Sequence, residues 1–198
     1  TYTESEKLVR IIAGEFRGRP LKTLKGSNTR PTTDRVREAL MSSLFSARGS
    51  FEGARVLDAF AGSGALGLEC ISRGAAHCLF CEQDRQAQGI IDQNCRSLKL
   101  SRDRYSIRKG DAFTLPQSLQ QPFDLMFFDP PYAYDVNDIV GLIKGLDEAG
   151  LIAASALICY EYAKKDTDSV IQAVNELKYV HISVKNYGDT SLITLRKE

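Results

Sequence analysis

The sequence predicts an α/β protein. A mostly parallel sheet of seven strands carries helices on both faces and closes in a C-terminal antiparallel hairpin, with a small N-terminal hairpin and helix in front. Three observations carry this. From residue 54 onward, short apolar runs alternate with helical stretches, the rhythm of βαβ units that build a parallel sheet. Four runs end at or near an acid, Asp58, Glu82, Asp111 and Asp129, where an open α/β sheet gathers its ligands. The last two runs, Tyr179 to Tyr187 and Ser191 to Leu195, are separated only by a Gly188-Asp189 turn, so they form a hairpin.

A chain of 198 residues suits one main domain with an appendage. We draw the boundary between a basic hairpin-and-helix extension over 1–50 and a main domain over 51–198. Hydrophobic residues at 43% and charged residues at 26% describe an ordinary globular composition. No apolar run approaches the roughly 18 residues of a membrane span, and Thr1-Tyr2-Thr3-Glu4 does not open like a signal peptide. The expected address is the cytoplasm. The net charge of +1 hides an asymmetry: residues 1–50 hold ten Lys/Arg against five Asp/Glu, and the remainder is acidic. The extension is therefore the expected contact for a polyanion.

Along the chain, residues 8–24 alternate apolar and basic positions around Gly14 and Gly18, as a short hairpin does, and carry Arg10, Arg17, Arg19 and Lys22, with Lys25 just beyond. Then comes Arg30-Pro31-Thr32-Thr33-Asp34-Arg35-Val36-Arg37, where Thr33 is placed to N-cap a helix. That helix is expected to bury Val36, Leu40, Leu44 and Phe45, with Arg35 and Arg37 on its other face. A first strand over Arg55 to Phe60 runs into Ala61-Gly62-Ser63-Gly64-Ala65-Leu66-Gly67 and a helix ending near Gly74. A second strand, Cys78 to Cys81, leads to Glu82-Gln83-Asp84 and a helix from Arg85 to Leu98. Tyr105 to Arg108 is a third strand, ending at Gly110-Asp111-Ala112. Phe123 to Phe128 is the fourth, followed by a helix through Ile139, Leu142, Ile143 and Leu146. Ala156 to Tyr162 is the fifth, with a helix near Val170 to Leu177 behind it.

Five cysteines, an odd number in apolar segments, fit a reducing compartment better than a disulfide framework. Cys78 and Cys81 spell C-x-x-C, but on a strand residues three apart face opposite ways, so they read as core. Neither His77 nor His181 has a partner pattern. No metal site is expected.

Gly62-Ser63-Gly64-Ala65-Leu66-Gly67 is a G-x-G-x-x-G between a strand and a helix, the setting of a dinucleotide fingerprint. By itself it favours a nicotinamide or flavin enzyme. Asp58, four residues before Gly62, argues otherwise: a carboxylate there is a bad neighbour for a pyrophosphate and a good one for an ammonium or sulfonium. S-adenosylmethionine, cationic and free of phosphate, fits that charge. The candidate cofactor residues are Asp58, Ala59, Phe60, Gly62, Gly64, Glu82, Gln83, Asp111, Ala112 and Asp129. Glu82 is placed for the ribose hydroxyls and Asp111 for the adenine amine.

The other half of the site is Asp129-Pro130-Pro131-Tyr132. Prolines fix φ and donate no N–H, and a residue before proline is held extended. Asp129 and the Pro130 carbonyl are thus rigid acceptors able to grip a planar amine, with Tyr132 beside them.

The stretch Val56-Leu57-Asp58-Ala59-Phe60-Ala61-Gly62-Ser63-Gly64-Ala65-Leu66-Gly67-Leu68-Glu69, with Asp129-Pro130-Pro131-Tyr132 downstream, resembles the Rossmann-like class I S-adenosylmethionine-dependent methyltransferases that act on exocyclic amines. Arg10-Ile11-Ile12-Ala13-Gly14, Arg17-Gly18-Arg19 and the segment from Arg30 to Glu38 resemble more narrowly the bacterial 16S ribosomal RNA guanine-N2 methyltransferases of the RsmD type. The resemblance implies methylation of one guanine in 16S rRNA, as naked RNA or within the assembled small subunit. The expected oligomeric state is a monomer. Asp129, Pro130, Pro131 and Tyr132 would be catalytic, and Arg10, Arg17, Arg19, Arg30 and Arg35 would hold RNA. Adenine N6 or a protein glutamine remain alternative amines for the same tetrapeptide. A nicotinamide enzyme and a catalytically idle RNA-binding module remain outside that chemistry.

Overall fold

The computed structural model describes residues 9–24 and 33–198. The N-terminal hairpin is short: β1 (Val9–Arg10) pairs antiparallel with β2 (Pro20–Leu21). Helix α1 (Asp34–Arg48) starts as expected, with the Thr33 side chain accepting the Val36 N–H, and stops at Gly49 in the left-handed region. The sheet strands are β3 (Arg55–Asp58), β4 (His77–Glu82), β5 (Tyr105–Lys109), β6 (Phe123–Phe128), β7 (Ile152–Ala163), β8 (Val180–Tyr187) and β9 (Thr190–Arg196). Between them lie α2 (Ala65–Ser72), α3 (Arg85–Ser97), a short α4 (Leu115–Ser118), α5 (Val136–Glu148) and α6 (Thr167–Asn175). α4 had no signal in the sequence beyond its Pro116.

The seven strands lie in the order β5-β4-β3-β6-β7-β9-β8, all parallel except β9, which is antiparallel to both neighbours. Strand order reverses between β3 and β6. This is the Rossmann-like class I methyltransferase fold, with its C-terminal hairpin and N-terminal extension.

Alternation along the strands divides the core in two. Val56, Cys78, Phe80, Leu125 and Phe127 pack under α1, α2 and α3, while Leu57, Leu79, Cys81, Met126 and Phe128 pack against α4, α5 and α6. Cys78 and Cys81 therefore do face opposite ways, and all five cysteines are buried free thiols. Val9, Ile11 and Leu21 of the hairpin and Leu40, Met41 and Leu44 of α1 belong to the first of these cores, so the extension shares the apolar interior of the sheet.

Two expectations for α1 are corrected. Phe45 is 55% exposed, because the buried stripe runs through Arg37, Leu40, Met41 and Leu44 and turns Phe45 outward. Arg37 belongs to that stripe and is fully buried instead of sharing a solvated face with Arg35. Its guanidinium meets Asp34 at 2.9 Å and Glu69 at 3.7 Å and donates to the Arg10 carbonyl, which offsets part of the cost of removing its charge from water. The first sheet strand also ends at Asp58, two residues short of Phe60, as the chain leaves the sheet for the glycine turn.

Candidate active site

A cleft of about 170 Å³ opens at the carboxyl ends of β3, β4, β5 and β6, at the reversal of strand order. Its floor is the turn from β3 into α2. Gly62 and Gly64 have φ of 57° and 84°, conformations that favour glycine. Gly67 lets α2 press onto the sheet: a Cβ there would stand 2.4 Å from the Phe80 ring and 2.6 Å from the Cys78 sulfur. The turn is further fixed by Asn94 on α3, whose amide donates to the carbonyls of Ser63 at 3.0 Å and Lys22 at 3.1 Å.

Asp58 closes β3 beneath this turn, buried, and accepts the Gly67 N–H at 3.2 Å. Burial, opposed by that hydrogen bond and reinforced by the Glu82 charge, pushes its carboxyl up to about 7. Glu82 ends β4 and gathers backbone donors. One oxygen accepts the Gly62 N–H at 3.0 Å, and the other accepts Gln83 at 2.8 Å and Asp84 at 3.2 Å. Asp111, past β5, accepts the Phe113 N–H at 3.0 Å and so caps the short turn that begins at Ala112.

Across the reversal, Asp129 follows directly on β6. It lines the cleft with Pro131, whereas Pro130 and Tyr132 do not. Tyr132 stands 64% exposed at the rim, its hydroxyl 3.2 Å from the Thr190 hydroxyl on β9. That bond anchors the tip of the ring and leaves much of the side chain open. Burial and the carboxylates of Glu161 and Asp58 push the Asp129 carboxyl well above the usual carboxylate range.

The structure therefore brings Asp58, Ala59, Phe60, Gly62, Glu82, Gln83, Asp111, Ala112 and Asp129 together in one lining, with Gly64 supporting the turn behind them. Among the described lining residues four are Asp or Glu and none is Lys, Arg or His. A pyrophosphate would find no counter-charge among these described residues. A cation bearing hydroxyls and an amine would find acidic side chains on several sides.

Several residues escaped the sequence reading. Tyr134 and Phe113 form an aromatic cluster with Phe60, centroids 5.4 to 6.4 Å apart, and Gln83 donates to the Tyr134 hydroxyl at 3.1 Å. Tyr134 lies two residues past Tyr132, a proximity that could have flagged it. Val9, Thr23 and Leu24 line the cleft from the extension, and nothing local marks them. Of the arginines, Arg10, Arg17, Arg19 and Arg35 are exposed. Arg19 donates to the Ser97 carbonyl at 2.6 Å and Arg10 to that of Gly18 at 3.1 Å. Arg30 and Lys25 lie outside the described residues. Among the described residues no group of three or more His, Cys, Asp or Glu is arranged to hold a metal ion, and no helix is long and apolar enough to cross a membrane.

The family model described as Conserved hypothetical protein 95 matches residues 9–196. Ribosomal RNA small subunit methyltransferase D of Haemophilus influenzae is 37% identical over 158 residues, which is 79% of this chain and 79% of that protein. The Escherichia coli K12 protein of the same name is 37% identical over 153 residues, 77% of this chain and 74% of its own. The solved structure of yhhF from Escherichia coli superposes with a TM-score of 0.77 at 29% identity, covering 96% of this chain and 98% of that one.

Proposed function

Because this chain belongs to the Conserved hypothetical protein 95 family, we propose that it transfers a methyl group from S-adenosylmethionine to the exocyclic N2 of a guanine in 16S ribosomal RNA. The observation that carries the donor is the acidic lining of the cleft: four Asp or Glu side chains and no Lys, Arg or His among its described lining residues. The relatives named as small-subunit ribosomal RNA methyltransferases carry the substrate class.

When bound, S-adenosylmethionine supplies an electrophilic methyl group on a sulfonium that leaves as a neutral thioether. The rest is done by this chain. Glu82 holds the ribose hydroxyls, Asp111 and Ala112 meet the adenine edge, and Asp58 with Ala59 faces the cationic amino-acid end. Phe60 and Tyr134, packed with Phe113, wall the cleft against water, and the turn at Gly62 and Gly64 allows close approach of backbone to ligand.

The guanine amine is a weak nucleophile because its lone pair is delocalised into the ring. Asp129 and the Pro130 carbonyl accept its two hydrogens, which localises that pair and aims it at the methyl group. Pro131 keeps both acceptors rigid. Much of the acceleration then comes from positioning. Tyr132, exposed at the rim, stacks on the base, worth ~1 to 3 kcal/mol by comparison with other base–aromatic stacks. The base must be unpaired or flipped to arrive there.

Residues 1–50 act as the RNA-binding extension of the catalytic domain over 51–198. Arg10, Arg17, Arg19, Arg30 and Arg35 hold phosphates and carry little sequence information. The protein works as a monomer in the cytoplasm, on naked RNA or on the assembled small subunit.

The test is incubation with unmethylated small subunits, naked 16S rRNA and labelled donor, followed by mapping of the product nucleoside. N2-methylguanosine at one position is expected. Label in adenine or in protein overturns the reading.

A further inference from the structure

Beside Asp129 stands an acid that the reaction as described leaves unused. β6 and β7 run parallel with Phe128 opposite Tyr160, so the next pair along is Asp129 and Glu161. By alternation Asp129 shares a face with Phe127, and Glu161 with Cys159, both in the core under α1, α2 and α3. Asp58, in register with Phe127, ends its strand on that same face. Asp129 and Glu161 thus stand abreast on neighbouring strands, with Asp58 on the same face of the third strand, two residues behind Asp129. The charged groups facing Asp129 are Glu161 from β7 and Asp58 from β3, and β9 places the apolar Leu192 opposite Glu161. Level positions on one face bring the two carboxyls close enough for the Glu161 charge to raise the Asp129 carboxyl. Burial also raises the Glu161 carboxyl, and Asp129 beside it opposes that rise. Two acids this close ionise as a pair, not singly.

We propose that Glu161 is a positioning residue for the transfer: it shares one proton with Asp129, and the place of that proton decides when Asp129 can accept the hydrogens of the target amine. The inference rests on the methyl-transfer reading above. In the resting pair the proton lies on Asp129 and is donated to Glu161. Positive charge arriving beside Asp129 favours its passage to Glu161, leaving Asp129 an acceptor. During transfer the sulfur–methyl bond breaks with its electron pair going to sulfur. The nitrogen lone pair forms the new N–C bond, and one N–H proton passes to Asp129. The pair, now holding two protons, gives one to water through the open cleft and returns to the singly protonated state.

Glu161→Gln and wild type are to be compared in single-turnover methylation from about pH 5 to about pH 9, where perturbed carboxyls change charge. Binding of S-adenosylhomocysteine and a ¹³C NMR titration of the side-chain carboxyls accompany it. Removing the second charge should move the acid limb of the rate profile down by about one pH unit or more and cut the plateau rate about tenfold or more. Product affinity should stay within about threefold, and Glu161→Asp should restore the wild-type limb. A limb that does not move in Glu161→Gln overturns the inference. So does a wild-type titration in which both carboxyls ionise near the ordinary value of about 4. The titration needs neither turnover nor a variant, so it judges the shared proton by itself. A wild-type protein that methylates no guanine would instead sink the functional reading.

Discussion

Glu69 on α2 accepts the backbone N–H of Ile12 at 3.0 Å, across 57 residues of sequence. The same carboxylate takes the Ala13 N–H at 3.2 Å and pairs with Arg73 at 2.9 Å and with the buried Arg37. Ser72, one turn on, accepts the Phe16 N–H and donates to the Ala13 carbonyl at 2.6 Å. The basic hairpin is therefore clamped to the helix that begins at the glycine turn.

Breaking that clamp should be costly. Glu69→Ala takes from the buried Arg37 the buried carboxylate beside it and leaves it, among the described residues, the exposed Asp34. Removing one member of a buried pair costs about 3–5 kcal/mol, and urea denaturation should show a loss near the lower figure. A loss below about 1 kcal/mol would mean the hairpin is held by its apolar residues instead.

Glu82→Ala removes the charged acceptor at the end of β4 and frees the N–H groups of Gly62, Gln83 and Asp84. A hydrogen bond to a charged group contributes about 1.5–3 kcal/mol, so calorimetry should find S-adenosylhomocysteine bound about 10- to 100-fold more weakly. Unchanged affinity would remove Glu82 from the ribose site.

Asp129→Ala should separate chemistry from binding. Loss of the acceptor ought to lower kcat about 10²-fold or more, the scale of proton-accepting groups, with donor affinity nearly unchanged. An unimpaired rate in a variant that binds the donor normally sinks the assignment.

The stability of the unliganded protein should fall as pH rises from the ordinary carboxylate range toward 7. Asp58 has its carboxyl pushed up to about 7 in the folded chain, so the folded state holds that proton more tightly than the unfolded state. Its ionisation costs stability that is intact below the unfolded value and fully lost above the folded one, on the order of 4 kcal/mol. Asp58→Asn should flatten this slope while its amide oxygen still accepts the Gly67 N–H. A wild-type slope equal to that of the variant would place the titration elsewhere.

Arg17 and Arg19 are exposed on the hairpin, though Arg19 already donates to the Ser97 carbonyl. Replacing both with Ala should weaken binding of 16S rRNA and make its dependence on log salt shallower by about 1 to 2. No change in either measurement would move the RNA surface off the hairpin.

Much of this molecule was written locally. Strand and helix positions followed from periodicity and caps: Thr33 begins α1, Phe123–Phe128 is β6 and the Gly188 turn joins β8 to β9. The four acids at strand ends and the rigid Asp129-Pro130-Pro131-Tyr132 were equally local, since each depends on neighbours in sequence. Tertiary structure decided what depends on register and crossing. It buried Arg37 against Glu69, which no helical pattern could reveal because the partner comes from another helix. It brought Val9, Thr23 and Leu24 to the cleft and set Phe60, Phe113 and Tyr134 ring to ring. And it set Glu161 beside Asp129, because the order in which strands pair, unlike the strands themselves, is fixed only when the whole sheet assembles.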